Sequence, residues 1–334
     1  MMRQRLVTVL IPERWRERVL SAEAVAQLAA QAEVRWPDGP DPLGEELPGL
    51  LSGAAVCLTG WGTPRLTQEL LAGLPELKLV AHTAGSVRFL LPADVLDRGV
   101  RVSHSAAVMA EAVAEHVVAQ ALLSLQRLHE VDALMRQGEW DSIRQSMSRR
   151  LLGARAVGIW GAGRVGREVI RLLRAFGCKV MVADPYLDPA AAERLGAELV
   201  SLKELFLRGE VVSLHAPLLP DTRGAIDAEL LTSLRDGAIL INAGRGALLD
   251  EAALLRELSS GRIRAALDVF AEEPLTADSR LRRLPNVVLS PHIAGHSEET
   301  HLRQGQAMVD EVGRFLRGEP LRYEVGPELL AVMA

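Results

Sequence analysis

Ala156-Val157-Gly158-Ile159-Trp160 is a short apolar run that leads straight into Gly161-Ala162-Gly163-Arg164-Val165-Gly166. Beyond it Val169, Leu172, Leu173 and Phe176 are apolar at helical spacing, and a second apolar run, Val180-Met181-Val182-Ala183, ends in Asp184. The order is strand, glycine turn, helix, strand and acidic residue, which is the order a dinucleotide-binding unit needs. Gly161 permits the tight turn, Gly163 lets backbone approach a pyrophosphate, and Gly166 lets helix and strand pack closely. The pyrophosphate would sit on the positive end of the helix opening at Arg164, with Ala162 and Val165 completing the turn. Asp184 stands 18 residues past Gly166, placed to accept hydrogen bonds from a ribose diol. A carboxylate there repels a 2′-phosphate, and no Arg stands beside it in Asp184-Pro185-Tyr186, so the pattern favours NAD over NADP. A tight turn with no ligand is the plainer reading; the two flanking strands and Asp184 count against it.

The 334 residues are enough for two domains, and 49% apolar with 24% charged residues is a globular composition. The net charge of −5 disfavours nucleic acid or an anionic membrane as the main partner. Cys57 and Cys178 are the only cysteines and have no metal or redox spacing. A reducing, cytoplasmic setting without a disulfide framework is therefore expected. Residues 1–11 are basic, then apolar with strand-like alternation and no small-residue cleavage site, so no signal peptide is expected. No run approaches the length of a membrane span.

Strand-like and helix-like segments alternate throughout, which predicts an α/β fold with mostly parallel sheets. A first series of strands is expected at 6–11, 33–36, 54–59, 77–82 and 100–104, with helices near 22–32 and 67–72 between them. A second series begins at Ala156 and continues at 180–183, 211–215, 238–242, 265–269 and 287–290. The proline- and glycine-rich 37–48 reads as a surface loop. Two long helices, 110–128 and 297–317, lie between the series, and Gly318 ends the second. If the last helix carries the chain back, two wound parallel-sheet domains result. Residues 1–109 with 297–334 form a discontinuous flavodoxin-like substrate domain, and 110–296 a Rossmann-type NAD-binding domain. A closable cleft between them is the expected active site. The pattern does not place the tail 321–334.

Three segments put reactive groups at strand ends of the second series, the edge where ligands bind in such sheets. Arg245 lies between Gly244 and Gly246 after the 238–242 strand, and its planar fork suits a carboxylate. Asp268 is followed by Glu272-Glu273-Pro274, and the 287–290 strand leads to Pro291-His292-Ile293-Ala294-Gly295. Arg, carboxylate and His near one cofactor suggest hydride transfer coupled to proton transfer, with His as acid/base. A carboxylate on its other nitrogen would hold the ring and favour its protonated form. Taken singly, each residue could equally be an ordinary structural group.

Together these segments resemble the D-isomer-specific 2-hydroxyacid dehydrogenases. The resemblance covers most of the chain and is dense from Glu111 onward. It runs through Val113-Ala114-Glu115-His116, Gly138-Glu139-Trp140, the glycine turn, Leu214-His215-Ala216-Pro217-Leu218, Asn242-Ala243-Gly244-Arg245-Gly246, Leu267-Asp268-Val269-Phe270, Glu273-Pro274 and Pro291-His292-Ile293-Ala294-Gly295. The resemblance implies that Arg245 binds substrate, that Glu273 orients the His, and that His292 is the acid/base. It implies that Asp184 binds ribose, that Asp268 holds the nicotinamide amide, and that His215, Ala216, Pro217, Thr222, Asn242, Ala243, Gly244, His292 and Gly295 complete the NAD contacts. Hydride would pass from nicotinamide to a carbonyl carbon while His292 protonates the oxygen and Arg245 grips the carboxylate. D-stereochemistry and a homodimer through the cofactor domain are implied in the same way.

The departures fall in the substrate half. Ser86-Val87-Arg88, following Gly85, stands where the family has its Gly-x-Asp or Gly-x-Asn loop, whose amides meet the substrate carboxylate, and Met109 stands where an Asn is usual. Thr59-Gly60-Trp61-Gly62-Thr63 lacks the basic residues of phosphoglycerate members. Trp61 either walls the substrate pocket or packs, and Trp160 reads as packing. No appended regulatory domain is expected after residue 334. Phosphite chemistry would use the same triad, whereas formate enzymes usually carry Gln at the Glu273 position. His292 and His296 have a spacing that binds metal only on a helix, and Pro291 and Gly295 make a loop, so no metal is expected. His104, His116, His129, His215 and His301 have no evident partner, and Arg149-Arg150 and Arg282-Arg283 read as solvated. The reading is an NAD-dependent enzyme acting on a small 2-oxo or 2-hydroxy acid of the glyoxylate or hydroxypyruvate kind. Its rival is an NAD-dependent sensor that assembles with protein partners.

Overall fold

The computed structural model describes residues 5–41 and 44–332. The chain divides into two compact units, one holding residues up to Met109 together with those from His296 on, the other spanning Ala110–Gly295. The division falls one residue before the expected 296/297 boundary. The His296 ring explains the shift, because it packs 5.1 Å from both Trp61 and His301 of the first unit.

In the first unit Leu6–Val9 (β1), Glu33–Arg35 (β2), Ala54–Thr59 (β3), Leu79–His82 (β4) and Arg101–His104 (β5) form a parallel sheet. Its order is β2-β1-β3-β4-β5, the flavodoxin-like winding. Strand residues alternate between two cores because successive side chains point to opposite faces. Val56 and Leu58 enter one core, and Cys57 enters the other. Helix Glu298–Leu316 covers the first of these with Met308, Val309 and Val312. Gly305 permits its approach, since a Cβ there would lie 1.5 Å from the Val19 carbonyl oxygen.

The tail that sequence left unplaced returns to this sheet. Glu324 bridges Ser103 in antiparallel fashion, Val325 N–H donates to Val102 O (2.8 Å), and Glu324 pairs with Arg101 (2.6 Å). The buried Glu311 carboxylate holds the turn by accepting from Ser103 Oγ (2.7 Å), Arg322 N (2.9 Å) and Tyr323 N (3.0 Å).

The second unit has seven parallel strands: Ala156–Trp160 (β6), Lys179–Ala183 (β7), Glu198–Leu199 (β8), Val211–Leu214 (β9), Ile239–Asn242 (β10), Arg264–Leu267 (β11) and Val287–Leu289 (β12). Their order is β12-β11-β10-β9-β6-β7-β8, the doubly wound Rossmann arrangement. The winding reverses between β6 and β9, so the crevice at their carboxyl ends is the topological switch point. Trp160 is buried in one of the two cores. Several strands end a residue or more short of expectation, and β8, with two residues, has too little pattern to be read in advance.

The first long helix runs Ala106–Gln126, four residues earlier than expected, because apolar 106–109 continue the helical run after Ser105. By length and composition it could cross a membrane, contrary to the sequence reading. Its face of Val113, Ala114, Val117, Ala121 and Leu125 is instead buried in the core of the second unit.

Candidate active site

The three glycines of the turn answer three different constraints. Gly161 has φ +97°, and a Cβ there would lie 2.6 Å from Ala216 N in the loop after β9. At Gly166 a Cβ would lie 2.0 Å from Gly161 O, so only glycine lets helix Arg164–Ala175 close onto the turn. At Gly163 nothing lies within 4 Å of a Cβ position. That space, at the N-terminus of the helix, suits the backbone approach of an anionic pyrophosphate. The Asp184 carboxylate at the end of β7 accepts from Ala162 N (2.6 Å) and Tyr186 N (2.8 Å), which fixes it beside the turn. The residues present therefore fit a dinucleotide.

The loop after β9 carries His215, Ala216 and Pro217. His215 Nε2 pairs with Ser213 Oγ (2.8 Å), and desolvation pushes its pKa down to about 4. Thr222 Oγ1 donates to Pro217 O (2.6 Å) and accepts from Leu219 N (2.7 Å), closing this loop on itself. After β10 the buried Asn242 folds the next loop. Its side chain accepts from Gly244 N (3.1 Å) and donates to Arg245 O (3.0 Å), with Ala243 between. A Gly246 Cβ would lie 1.9 Å from the Phe270 carbonyl carbon, so the β10 and β11 loops touch. That contact brings Arg245 within the field of Glu273, which opposes the lowering of the Arg245 pKa by burial.

The loops after β11 and β12 are pinned by one carboxylate. Buried Asp268 accepts from Ser290 Oγ (2.6 Å), Ile293 N (2.9 Å) and Ala294 N (2.8 Å), and its carbonyl accepts from His292 N (2.7 Å). His292 is thereby held at φ +54°, a conformation that costs a non-glycine residue about 1–2 kcal/mol. Its Nδ1 lies 2.7 Å from Glu273 Oε2, and Glu273 Oε1 accepts from Phe270 N (3.0 Å). The imidazole is half exposed and borders a pocket of about 610 Å³ that Phe270, Leu275 and Pro291 also line. Gly295 closes this segment.

Sequence reasoning missed the second layer. His116 has partners: its Nε2 lies 3.4 Å from Ser290 Oγ and 4.0 Å from Asp268 Oδ1. Burial lowers its pKa while Asp268 opposes the shift. Only the pairing of β11 with β12 makes Ser290 and Asp268 neighbours, so spacing gives no signal. Arg150 and Arg282 are not simply solvated, because they donate to Gly237 O (2.6 Å) and to Leu275 O (2.8 Å). His129 reaches Pro285 O (3.3 Å).

In the first unit the loop after β4 contains Gly85, Ser86 and Val87. Val87 is fully buried, and Ser86 Oγ accepts from Arg88 N (3.3 Å). His104, also expected to lack a partner, bonds Gly85 O (2.7 Å). Trp61 is half buried among Trp15, His296 and His301 at ring separations of 5.3, 5.1 and 5.1 Å, which also gives His301 its partners. Among the described residues no group of three or more His, Cys, Asp or Glu side chains converges as metal ligands would.

Residues 118–294 match the family model described as the NAD binding domain of D-isomer specific 2-hydroxyacid dehydrogenase. The chain is 38% identical over 301 residues to a D-3-phosphoglycerate dehydrogenase of Mycobacterium tuberculosis, covering 90% of this chain and 56% of that protein. It thus spans little more than half the length of such relatives. It is 34% identical over 263 residues to a glyoxylate reductase of Aeropyrum pernix, covering 77% of this chain and 78% of that protein. Among solved structures, the TT0316 protein of Thermus thermophilus superposes with a TM-score of 0.81 at 31% identity, covering 96% of this chain and 100% of that one. With its glycine turn, its His–Glu pair and these matches in agreement, the chain belongs to the D-isomer-specific 2-hydroxyacid dehydrogenase family, and its second unit is the family's NAD-binding domain.

Proposed function

We propose that the protein is an NAD-dependent dehydrogenase that interconverts a small 2-oxo acid and its D-2-hydroxy acid. The observation that carries this reading is the His292–Glu273 pair, 2.7 Å apart, on the carboxyl edge of the Rossmann sheet with Arg245 close by. Bound NAD(H) supplies or accepts the hydride. Glu273, itself tied to Phe270 N, holds Nδ1 and leaves Nε2 to face the substrate. Nε2 then donates a proton to the carbonyl oxygen in reduction and takes it back in oxidation. Arg245 pairs its guanidinium with the substrate carboxylate and stabilises charge on the carbonyl oxygen. The glycine turn holds the pyrophosphate and Asp184 the ribose. The Asp268 carboxylate already serves the 290–294 loop, and its remaining lone-pair capacity is what the nicotinamide amide would use.

The resemblance supports the Gly85–Ser86–Val87 segment of the first unit as the source of amides for the substrate carboxylate. The loop 59–63 carries no basic residue, which supports an unphosphorylated acid such as glyoxylate or hydroxypyruvate. The 38% identity to a D-3-phosphoglycerate dehydrogenase favours a second reading, oxidation of that phosphorylated acid. Exposed Leu128, Trp140 and Leu151 on the NAD-binding unit support a homodimer through it, which light scattering would report as twice the monomer mass.

NADH oxidation against 2-oxo acids from glyoxylate to phenylpyruvate, with NADPH in parallel and D-3-phosphoglycerate with NAD in reverse, tests the reading. Turnover of an unphosphorylated acid with NADH, at least ~10-fold above NADPH, is expected. Turnover of phosphoglycerate alone selects the second reading. Tight NADH binding with no turnover selects the sensor.

A further inference from the structure

The carboxyl ends of β4 and β5 carry two histidines that the mechanism does not use. His82 and His104 are register partners across the two strands, and both are buried. Apolar residues would fill such positions at no polar cost, so two buried imidazoles need an account. Their partners supply one. His104 Nδ1 lies 2.7 Å from Gly85 O, and a carbonyl only accepts, so Nδ1 carries the proton. His82 Nδ1 lies 2.9 Å from Thr59 Oγ1, and the same ring hydrogen-bonds the Ser86 backbone. That second bond favours the protonated ring, as one donated to the Ser86 carbonyl does. With Nδ1 engaged by Thr59, the donor is Nε2. Burial and the neighbouring His104 lower the His82 pKa to about 3, so the ring stays neutral. The two rings thus have opposite tautomers and grip consecutive carbonyls.

Peptide planarity turns this grip into an orientation. In a trans peptide the carbonyl and the amide point in opposite directions. Drawing Gly85 O toward His104 therefore turns Ser86 N–H the other way. The loop is braced from behind as well. Thr83 Oγ1 donates to Thr59 O (3.0 Å), Ser105 N donates to Ala84 O (3.2 Å), and Gln304 Nε2 donates to Ser105 Oγ (3.0 Å).

We propose that His82 and His104 are positioning residues for the substrate loop, fixing the Gly85 and Ser86 carbonyls so that the Ser86 amide is presented to the substrate carboxylate. This rests on the reading of Gly85–Ser86–Val87 as that loop. Neither histidine touches substrate, so the effect belongs in KM rather than in the chemical step.

The test compares His104→Ala, His104→Asn and His82→Leu in the full chain. Asn places its amide donor where Nδ1 stands, so it keeps the bond that Ala removes. KM for the best 2-oxo acid should rise about 10-fold or more in His104→Ala and His82→Leu. In both variants kcat and NADH affinity should stay within about twofold of wild type, and His104→Asn should return KM most of the way. Amide hydrogen exchange over 84–88 is the readout independent of activity, and it should speed up in His104→Ala but not in His104→Asn. Unmoved exchange overturns the proposal, as does an Asn variant as impaired as Ala. Faster exchange with unmoved KM shows that the histidines hold the loop but that it does not bind substrate, which removes the premise and the proposal with it. Should the wild type reduce no 2-oxo acid, the exchange result still decides whether the grip exists.

Discussion

His292 is a residue whose backbone and side chain are set by different neighbours. Asp268 fixes its main chain at φ +54° through the amides of His292, Ile293 and Ala294, and Glu273 fixes its ring through Nδ1. The two constraints separate in mutants. Glu273→Ala removes the ring's partner but leaves the Asp268 clamp, so it should lower kcat about 100-fold or more while NADH affinity stays near wild type. Steady-state kinetics beside a fluorescence titration of NADH checks this. The individual glycines were legible in sequence because each has a role tied to its place in the turn. Arg245, the Glu272–Glu273 pair and His292 stood out in sequence as reactive groups at strand ends, but spacing alone left each as easily an ordinary structural group, and the family resemblance assigned their roles. His116 and Ser290 were not legible as neighbours of Asp268, because two strands far apart in sequence bring them together.

At the scale of elements, loops tie the strand ends together. The β10 loop meets the β11 loop at Gly246, and the β11 and β12 loops share Asp268. In the first unit the corresponding device is Glu311, which seats residues 322 and 323 beside β5. Glu311→Ala leaves the buried Ser103 hydroxyl and the amides of Arg322 and Tyr323 without their acceptor, which should cost about 1–3 kcal/mol. Urea unfolding, followed by circular dichroism, measures that loss. Helix Glu298–Leu316 lies within the expected 297–317, ahead of Gly318, whereas the tail after it has no pattern to read and is placed by the Glu311 carboxylate and an antiparallel bridge. The two series of strands and their parallel sense were legible from alternation, whereas their order in each sheet comes from the structure. The two-residue β8 and the start of Ala106–Gln126 did not, because short edges and continuous apolar runs give pattern reading no boundary.

Across the whole molecule, buried neutral histidines make stability depend on pH. His82 falls from an ordinary value near 6.5 to about 3. Between those values the unfolded chain binds a proton that the folded chain does not. The stabilising effect is therefore complete above about pH 6.5 and is lost as pH falls toward 3, at about 1.4 kcal/mol per pH unit. Urea midpoints between pH 7 and 5 should fall accordingly, and more shallowly in His82→Leu. The account of the molecule as a catalyst turns on one proton donor. Its most direct test is NADH oxidation by wild type and by His292→Ala on the best 2-oxo acid, with NADH binding measured on both. The account predicts a loss of kcat by about two to four orders of magnitude with NADH affinity unchanged. A His292→Ala enzyme that turns over at the wild-type rate would contradict it.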